Sequence, residues 1–150
     1  MRSWFGSMIM RLMQLVRLPA PERGDLAEAM VLCTLASVLL RVLRFRRLAP
    51  RLGRHMAESP GQHVPITIRQ VARVRWAVGA AARHLPWKPV CLPQAITAQW
   101  MLRRRGIPST LYLGTDPARG YDAHAWVRAG AVIVAGGPRQ ERFAVVSSFA

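Results

Sequence analysis

The 150-residue sequence is short of acidic residues and nearly devoid of lysine. It contains 7 aspartates and glutamates against 22 basic residues, with Lys88 as the single lysine, so the formal net charge at pH 7 is +15. Part of this arginine bias reflects genome composition, but the resulting field still attracts acidic peptides, nucleic acids or anionic membrane surfaces. Because 51% of its residues are hydrophobic, the chain is not a disordered tail, and its length fits one domain.

Cysteine is also scarce, and the sequence predicts neither a secretion signal nor a transmembrane span. Cys33 and Cys91, the two cysteines, lie far apart, which predicts free thiols in a reducing cytosol. Residues 1–18 spread their apolar side chains along a short amphipathic helix without a cleavage site. The longest apolar stretch, residues 26–43, has an uninterrupted core of about a dozen residues, whereas a bilayer span needs roughly 20. That stretch is expected to pack, to bind a partner or to lie on a membrane.

Proline and glycine divide the chain into two parts. Residues 49–65 contain three prolines and two glycines, a composition typical of a linker. Upstream, Asp25 followed by Glu28 indicates the N-cap of a helix that closes with arginines. We therefore predict a helical N-terminal region at residues 1–65, available for partner or membrane contact, and a second region at residues 66–150, with both packed into one compact unit.

The second region changes from helical to strand periodicity. Apolar residues at helical spacing predict a helix that is N-capped by Thr67 and ends near His84. After Gly106 the period becomes two, and antiparallel strands are predicted over residues 109–114, 123–128, 130–135 and 143–146. Helices followed by such a sheet define an α+β fold.

Between that helix and the strands, a cysteine stands at the start of a further helix. Pro93 is tolerated in a first helical turn, and three arginines followed by Gly106 are typical of a helix end, which predicts a helix from Cys91 to about Arg105. Unpaired backbone N–H groups and the helix dipole favour a thiolate at its start. Cys91 is therefore interpreted either as a nucleophile or as a buried core cysteine.

A histidine in the segment Asp-Ala-His-Ala-Trp-Val is the second candidate. Strand alternation turns His124 and Trp126 to one face and the flanking alanines to the other. Taken alone, His124 is also compatible with a structural histidine whose ring donates a hydrogen bond to a backbone carbonyl. At the start of a strand it is also well placed to meet a helix N-terminus packed on the sheet, and Cys91 with His124 then has the ingredients of a thiol nucleophile and an imidazole base.

Four short segments occur in one order along the second region. They are Cys-Leu-Pro-Gln-Ala from Cys91, Leu-Arg-Arg-Arg-Gly-Ile-Pro from Leu102, Leu-Gly at Leu113 and His-Ala-Trp-Val from His124. Jointly they resemble the transglutaminase-like cysteine peptidases of lasso-peptide biosynthesis, the B2 or leader-peptidase proteins. The resemblance covers about residues 87–137, and the end of the upstream apolar helix is also similar to the N-terminal part of those proteins.

The resemblance implies removal of the leader from a ribosomally made precursor peptide, without a cofactor. Cleavage frees the amine that a separate asparagine-synthetase-like cyclase joins to an acidic side chain. In that family a small leader-recognition protein, the B1 protein, delivers the substrate. Since this chain begins directly with its helical part, we expect the split form, which depends on that partner.

The resemblance also implies roles for individual residues. Cys91 attacks the scissile carbonyl, and His124 takes and returns the proton. Backbone N–H groups near Cys91, helped by the Gln94 amide, hold the oxyanion. Trp87 and Trp126 are expected to form core or pocket wall, with a substrate contact by Trp126 as a further option.

The third catalytic member is where the sequence departs from a simple triad. An aspartate is expected on the strand after the histidine, yet residues 129–135 contain no acid. Asp122 would share the face of His124, although residues two apart on a strand seldom align a carboxylate with the ring. Glu141, a backbone or amide acceptor, and a Cys–His dyad stay open as alternatives.

The arginines leave two non-enzymatic alternatives. Arg103 to Arg105 are expected to cap their helix and stay solvated, or else to bind an acidic leader or partner. The charge with interleaved tryptophans is compatible with a nucleic-acid-binding protein, but the arginines are scattered and no helix-turn-helix or zinc spacing occurs, so nucleic acid is not expected. The other alternative is a membrane-peripheral scaffold that uses residues 1–48.

Overall fold

The computed structural model describes residues 18–61, 65–120, 122–137 and 140–150; the amphipathic helix predicted at the N-terminus lies outside the described residues. Helices come first along the chain: α1 (Ala20–Val42), α2 (Phe45–Leu48), α3 (Pro65–His84) and α4 (Cys91–Arg104). Strands follow: β1 (Thr110–Asp116), β2 (Asp122–Ala129), β3 (Val132–Ala135) and β4 (Ala144–Phe149). The predicted α+β class, with a helical N-terminal part before an antiparallel sheet, is confirmed.

The four strands of the described chain form one antiparallel sheet in the order β3-β2-β1-β4. The long central pair, β1 with β2, runs from Thr110 opposite Arg128 to Asp116 opposite Asp122. The strand predicted at residues 130–135 is β3, and it begins two residues later, at Val132. Gly130, with a φ of +57°, belongs instead to the tight turn after β2. The short strand β3 lies at the edge of the sheet and pairs with the end of β2, from Val127 opposite Ala135 to Ala129 opposite Val132.

One face of the sheet is covered by α4. Ile96, Met101 and Leu102 of α4 pack in one core with Leu111 of β1 and Val127 of β2, and each of these side chains is less than 2% exposed. Burial of side chains of this size stabilises by about 1.5–3 kcal/mol each. The helix that begins with Cys91 is therefore seated rigidly on the centre of the sheet.

The end of α4 is closed by a backbone motif. Gly106 adopts a left-handed φ of +66° and donates its N–H to Arg103 O at 3.0 Å, while Ile107 donates to Leu102 O at 3.0 Å. This pair of hydrogen bonds is the Schellman arrangement that glycine permits. The predicted boundary of this helix is confirmed at both ends to within one residue.

The predicted starts of the two other long helices are wrong. Helix α1 begins at Ala20, five residues before the predicted cap Asp25, because a proline in the first turn is compatible with a helix start. Helix α3 likewise begins at Pro65 rather than after Thr67. In both cases proline marks the first turn, and Asp25 lies inside its helix with a different role.

Asp25 joins three helices through an ion network. Its two carboxylate oxygens accept from Arg105 Nη2 at 2.8 Å and from Arg73 Nε at 2.7 Å, and Glu28 accepts from Arg105 at 2.6 Å. Above all, this hydrogen bond with Glu28 raises the pKa of Arg105. The prediction that Arg103 to Arg105 all stay solvated is therefore wrong for Arg105, whose side chain is 21% exposed, whereas that of Arg104 is 70% exposed.

The segment predicted as a linker runs beside the outer edge of the sheet. Arg54 N–H donates to Ala150 O and Met56 N–H to Ser148 O, each at 2.7 Å. Further on, Ser59 hydrogen-bonds the Thr110 hydroxyl at 2.8 Å. These contacts hold the connection against β4 and β1, and the division of the chain near residue 65 stays a prediction.

Candidate active site

Cys91 is the first residue of α4 and is half-buried. The residue before it, Val90, has extended backbone angles, and no side chain caps the helix in the described structure. Pro93 carries no N–H, and Gln94 N–H makes a long contact of 3.5 Å with Val90 O. The N–H groups of Cys91 and Leu92 are therefore left for an external acceptor at the positive end of the helix dipole.

The loop before Cys91 is held in a conformation that is uncommon for its residues. Lys88 has a φ of +42°, in the left-handed region that costs energy for residues with a side chain. Gln94 Nε2 donates to Pro89 O at 2.6 Å and so fastens this loop to the first turn of α4. One N–H of the predicted oxyanion donor Gln94 is thus engaged in positioning the loop.

His124 is fixed from three sides at the start of β2. Its Nε2 lies 2.6 Å from the carbonyl oxygen of Gly136. Its ring stacks on Phe143, with centroids 4.7 Å apart, and on Trp126, with centroids 6.0 Å apart. The imidazole therefore has a defined orientation, and Nδ1 is the ring nitrogen that the carbonyl leaves free.

The two faces of β2 follow the predicted alternation. Ala125 and Val127 belong to the core beneath α4, whereas Trp126 stacks on Tyr112 with centroids 5.4 Å apart. Trp126 is only 5% exposed, so it forms the wall behind His124, and its predicted option of contacting a substrate is not open in this structure. Sequence reasoning did not foresee that Phe143 closes the same cluster.

The first turn of α4 and His124 both lie near Gly136, at one corner of the sheet. Since α4 packs on the other face of β2, this corner is where Gly136 and Gly137 leave the edge strand β3. His124 bonds Gly136 from one side, and on the other side Gln94, one turn after Cys91, lines a cavity of about 320 Å³ together with Gly136 and Gly137. No hydrogen bond joins the Cys91 thiol to His124 within the described residues, and such pairs in free enzymes commonly tighten only when substrate binds.

The sequence candidates for the third catalytic member do not contact the ring. Asp122 is exposed at the first position of β2, opposite Asp116 of β1, and makes no hydrogen bond to His124 in the described structure. Glu141 lies exposed in a short 3₁₀ turn, Gln140–Arg142. The atom against Nε2 is the backbone oxygen of Gly136, which the sequence analysis did not single out.

A second cavity, of about 440 Å³, lies on the other side of the first turn of α4. The predicted pocket residue Trp87, 41% exposed, lines it with Pro89 and Leu92. Across from them stand Leu40 of α1 and Phe45 of α2. A mostly apolar groove therefore reaches the loop that carries Cys91, and Trp87 occupies its wall as expected from its sequence position.

The two cysteines have different environments. Cys33 lies in α1 with no exposed surface, and burial raises the pKa of its thiol, an effect that its hydrogen bond with Thr97 only partly offsets. A thiol held neutral in this way is a poor nucleophile. Cys91 is half-buried and stands at a helix start, so it is the cysteine suited to chemistry.

The chain is an α+β protein in which Cys91 starts a helix that packs on an antiparallel sheet, and the oriented imidazole of His124 on that sheet makes the two residues a candidate cysteine–histidine site. The family model described as "Transglutaminase-like superfamily" matches residues 26–148. The chain belongs to this superfamily, which includes cysteine peptidases. No curated protein and no solved structure matches it significantly.

Proposed function

We propose that this protein is a cysteine peptidase that removes the leader from a lasso-peptide precursor. The observation that carries the proposal is the position of Cys91 at the uncapped start of α4, together with the oriented imidazole of His124 on the sheet on which that helix packs. Membership of the transglutaminase-like superfamily supports thiol chemistry on an acyl group. The finer assignment to lasso-peptide precursors is supported by the order of the four sequence segments that resemble leader peptidases.

The proposed reaction has two halves. The Cys91 thiol gives its proton to His124 and attacks the carbonyl carbon at the leader–core junction, and His124 then protonates the leaving amine of the core. The products of this half are a thioester of the leader on Cys91 and a free core amine. A water molecule next loses a proton to His124 and attacks the thioester, which releases the leader carboxylate and returns the thiol.

The developing oxyanion is the second requirement. The N–H groups of Cys91 and Leu92 have no intrahelical acceptor, and the helix dipole points its positive end toward them. Donors of this kind stabilise the tetrahedral intermediate because they are already aimed at the charge that forms. In this proposal Gln94 acts mainly by fixing the loop through Pro89 O.

A groove along α1 supports dependence on a partner protein. Four apolar side chains on one stripe of α1 are 45–74% exposed: Val31, Leu35, Val38 and Val42. Beside this stripe, a cavity of about 440 Å³ is lined by Leu39, Leu48 and Trp100 and bordered by Arg51 and Arg103. Exposed apolar stripes of this extent are typical of interaction sites.

The proposed occupant of this groove is an amphipathic helix of the leader-recognition protein, with acidic residues on its flanks. Arginines border the groove, and the whole chain carries a formal charge of +15, which disfavours a second copy of the same protein. That partner would deliver the leader, and the lasso cyclase would consume the freed amine. No helix of the described residues has the length and hydropathy of a membrane span.

The test of the activity is mass spectrometry of the precursor peptide incubated with this protein and the leader-recognition protein. Wild type is expected to cut at one leader–core junction, and both Cys91→Ala and His124→Ala are expected to abolish the cut. Cys33→Ala is the matched control and should retain cleavage, because that thiol is buried away from the site. An intact precursor with wild type under reducing conditions, or cleavage by Cys91→Ala, would contradict the proposal.

The test of the partner surface compares two apolar side chains of similar exposure. Leu35, 45% exposed, lies on the α1 stripe, and Ile68, 50% exposed, lies on α3. Leu35→Asp is expected to weaken binding of the leader-recognition protein by about tenfold or more, as for a residue inside an interface, and Ile68→Asp should leave binding within about twofold. Equal binding by both variants would remove the groove from the proposal, and loss of binding to anionic vesicles alone would reassign it to a membrane surface.

A further inference from the structure

We propose that the backbone carbonyl of Gly136 takes the place of the acidic third member of the catalytic triad. It accepts a hydrogen bond from Nε2 of His124, fixes the imidazole, and leaves Nδ1 as the base for Cys91. This inference rests on the proposed peptidase function and names the positioning group of the same site. Its basis is the geometry around the ring and the absence of a suitable side chain.

Among the described residues, no acid or amide side chain makes a hydrogen bond to His124. The chain contains no asparagine, and Asp25 and Glu28 are bound to arginines in the helical network. Asp116 accepts the Ala118 N–H at 3.0 Å. The remaining acids are partly or fully exposed and make no hydrogen bond to His124 within the described structure: Glu22, Glu58, Asp122 and Glu141.

The contact with Gly136 assigns the proton on the ring. A carbonyl oxygen only accepts hydrogen bonds, so at 2.6 Å the ring nitrogen Nε2 must be the donor. In a neutral imidazole the other nitrogen, Nδ1, is then unprotonated and able to accept the proton of a thiol. This is the tautomer that a carboxylate bound to Nε2 would also impose.

Gly136 is the residue type that this position requires. Its φ of +101° lies in the region that disfavours side chains, and a Cβ there would overlap the Cβ of Trp126 and lie 2.7 Å from Ala125 O. The absence of a side chain lets the main chain press against β2 closely enough for its oxygen to reach His124. Glycine at position 136 is therefore needed to place the accepting carbonyl as well as to form the turn.

The aromatic neighbours supply part of what a neutral carbonyl lacks. A carboxylate would stabilise the imidazolium by charge, whereas a carbonyl offers only a dipole. The rings of Phe143 and Trp126 lie at 4.7 Å and 6.0 Å from the centroid of His124, within the range in which an aromatic ring attracts a cation. Together they keep the ring plane fixed and place two aromatic faces beside the imidazole.

The direct test is the tautomer of His124 in the full-length protein. Histidine ¹⁵N chemical shifts and long-range couplings distinguish the two neutral forms, and His124→Gln identifies the signals. We expect the neutral ring of wild type to be in the Nε2–H form, and Asp122→Asn to leave those shifts unchanged. An Nδ1–H form, averaged shifts of both tautomers, or a change in Asp122→Asn would overturn the inference.

A functional test compares two glycines that both have positive φ. Gly136→Ala displaces the carbonyl, whereas Gly120→Ala carries a similar backbone cost at a φ of +69° with nothing within 4 Å of the added Cβ. Gly136→Ala is expected to slow alkylation of Cys91 by iodoacetamide at neutral pH, and to slow precursor cleavage, by on the order of 10². Gly120→Ala should retain both rates within about threefold.

These measurements separate the inference from the function on which it rests. The tautomer and the alkylation rate need no substrate, so a protein with the Nε2–H form that leaves every precursor intact would refute the peptidase and keep the assignment of the ring. Cleavage that is normal in wild type and lost in Asp122→Asn would refute the role of Gly136 and keep the peptidase. If Gly136→Ala does not fold, the tautomer of the wild-type ring still decides.

Discussion

The two ends of α4 are held in opposite ways. At the C-terminal end, Gly106 closes the helix with two backbone hydrogen bonds, and Arg105 binds two carboxylates from α1. At the N-terminal end no side chain caps the described helix, and Lys88 just before it has a left-handed φ. The satisfied end supplies stability, and the unsatisfied end keeps donors available for a reaction. In the proposed function, the two ends of this 14-residue helix therefore have separate tasks, one structural and one chemical.

The largest expected effect comes from breaking the satisfied end. Arg105→Met leaves Asp25, 6% exposed, with Arg73 as its remaining described ion-pair partner. It is expected to lower the free energy of unfolding by about 2–3 kcal/mol, because a buried carboxylate loses one of two charged hydrogen-bond donors. Urea denaturation measures the change. Arg104→Met is the control and should cost at most about 1 kcal/mol, since that side chain is 70% exposed. Equal losses in the two variants would show that burial of the network does not matter.

The next effect concerns the glycine that closes the helix. Gly106→Ala is expected to destabilise by about 1–2 kcal/mol, because its φ of +66° is unfavourable for alanine and no atom within 4 Å adds a clash. Gly24→Ala, inside α1 with equally free space, should instead stabilise by about 0.5–1 kcal/mol through helix propensity. Thermal unfolding should therefore show a lower melting temperature for Gly106→Ala and a higher one for Gly24→Ala. A lower melting temperature in both variants would contradict this prediction.

Capping the open end of α4 should raise stability and lower activity. Val90→Ser places a hydroxyl at the N-cap, where it accepts the Leu92 N–H, and is expected to stabilise by about 0.5–2 kcal/mol. The same hydrogen bond removes an oxyanion donor, so kcat for precursor cleavage should fall while KM changes little. Val90→Ala, which adds no acceptor, serves as control. A more stable variant with unchanged kcat would place the oxyanion elsewhere.

The smallest effect is a dependence on alkaline pH. Burial raises the pKa of Cys33, so the unfolded chain loses this proton before the folded one. The contribution of the neutral thiol to stability is therefore complete below the usual thiol pKa and is lost as pH rises through the folded value, by up to about 1.4 kcal/mol per pH unit above about pH 9. Urea midpoints of wild type and Cys33→Ala should converge between pH 8 and 10, and parallel curves would contradict the prediction.

Local signals in the sequence predicted α4 well. Proline and glycine act within their own turns, so Pro93 and Gly106 define both boundaries without reference to the rest of the chain. The start of α1 was missed because the acids that resembled a cap bind elsewhere, Asp25 to an arginine 80 residues away. A local sequence pattern cannot indicate an ion-pair partner that lies 80 residues away along the chain.

The sequence suggested which residues of the candidate site carry reactive groups, a prediction that stays open, but it did not suggest the contacts that orient them. Cys91 and His124 stand out because thiol and imidazole are chemically distinctive and their positions at an element start are readable from the sequence. The acceptor at Gly136 leaves no such trace, since every residue has a carbonyl and only the folded chain selects one, 12 residues from the histidine. Phe143 was missed for the same reason, because its contact depends on how a turn crosses the sheet.

The proposed role of Gly136 has a consequence for which substitutions the site would tolerate. Every amino-acid replacement there adds a Cβ that overlaps Trp126, so no substitution of Gly136 is conservative. Asp122, by contrast, should tolerate substitution. In a saturation-mutagenesis library selected for peptide maturation, the least permissive position besides Cys91 and His124 would then carry no side chain at all. A search for functional residues that scores only side-chain chemistry would pass over it.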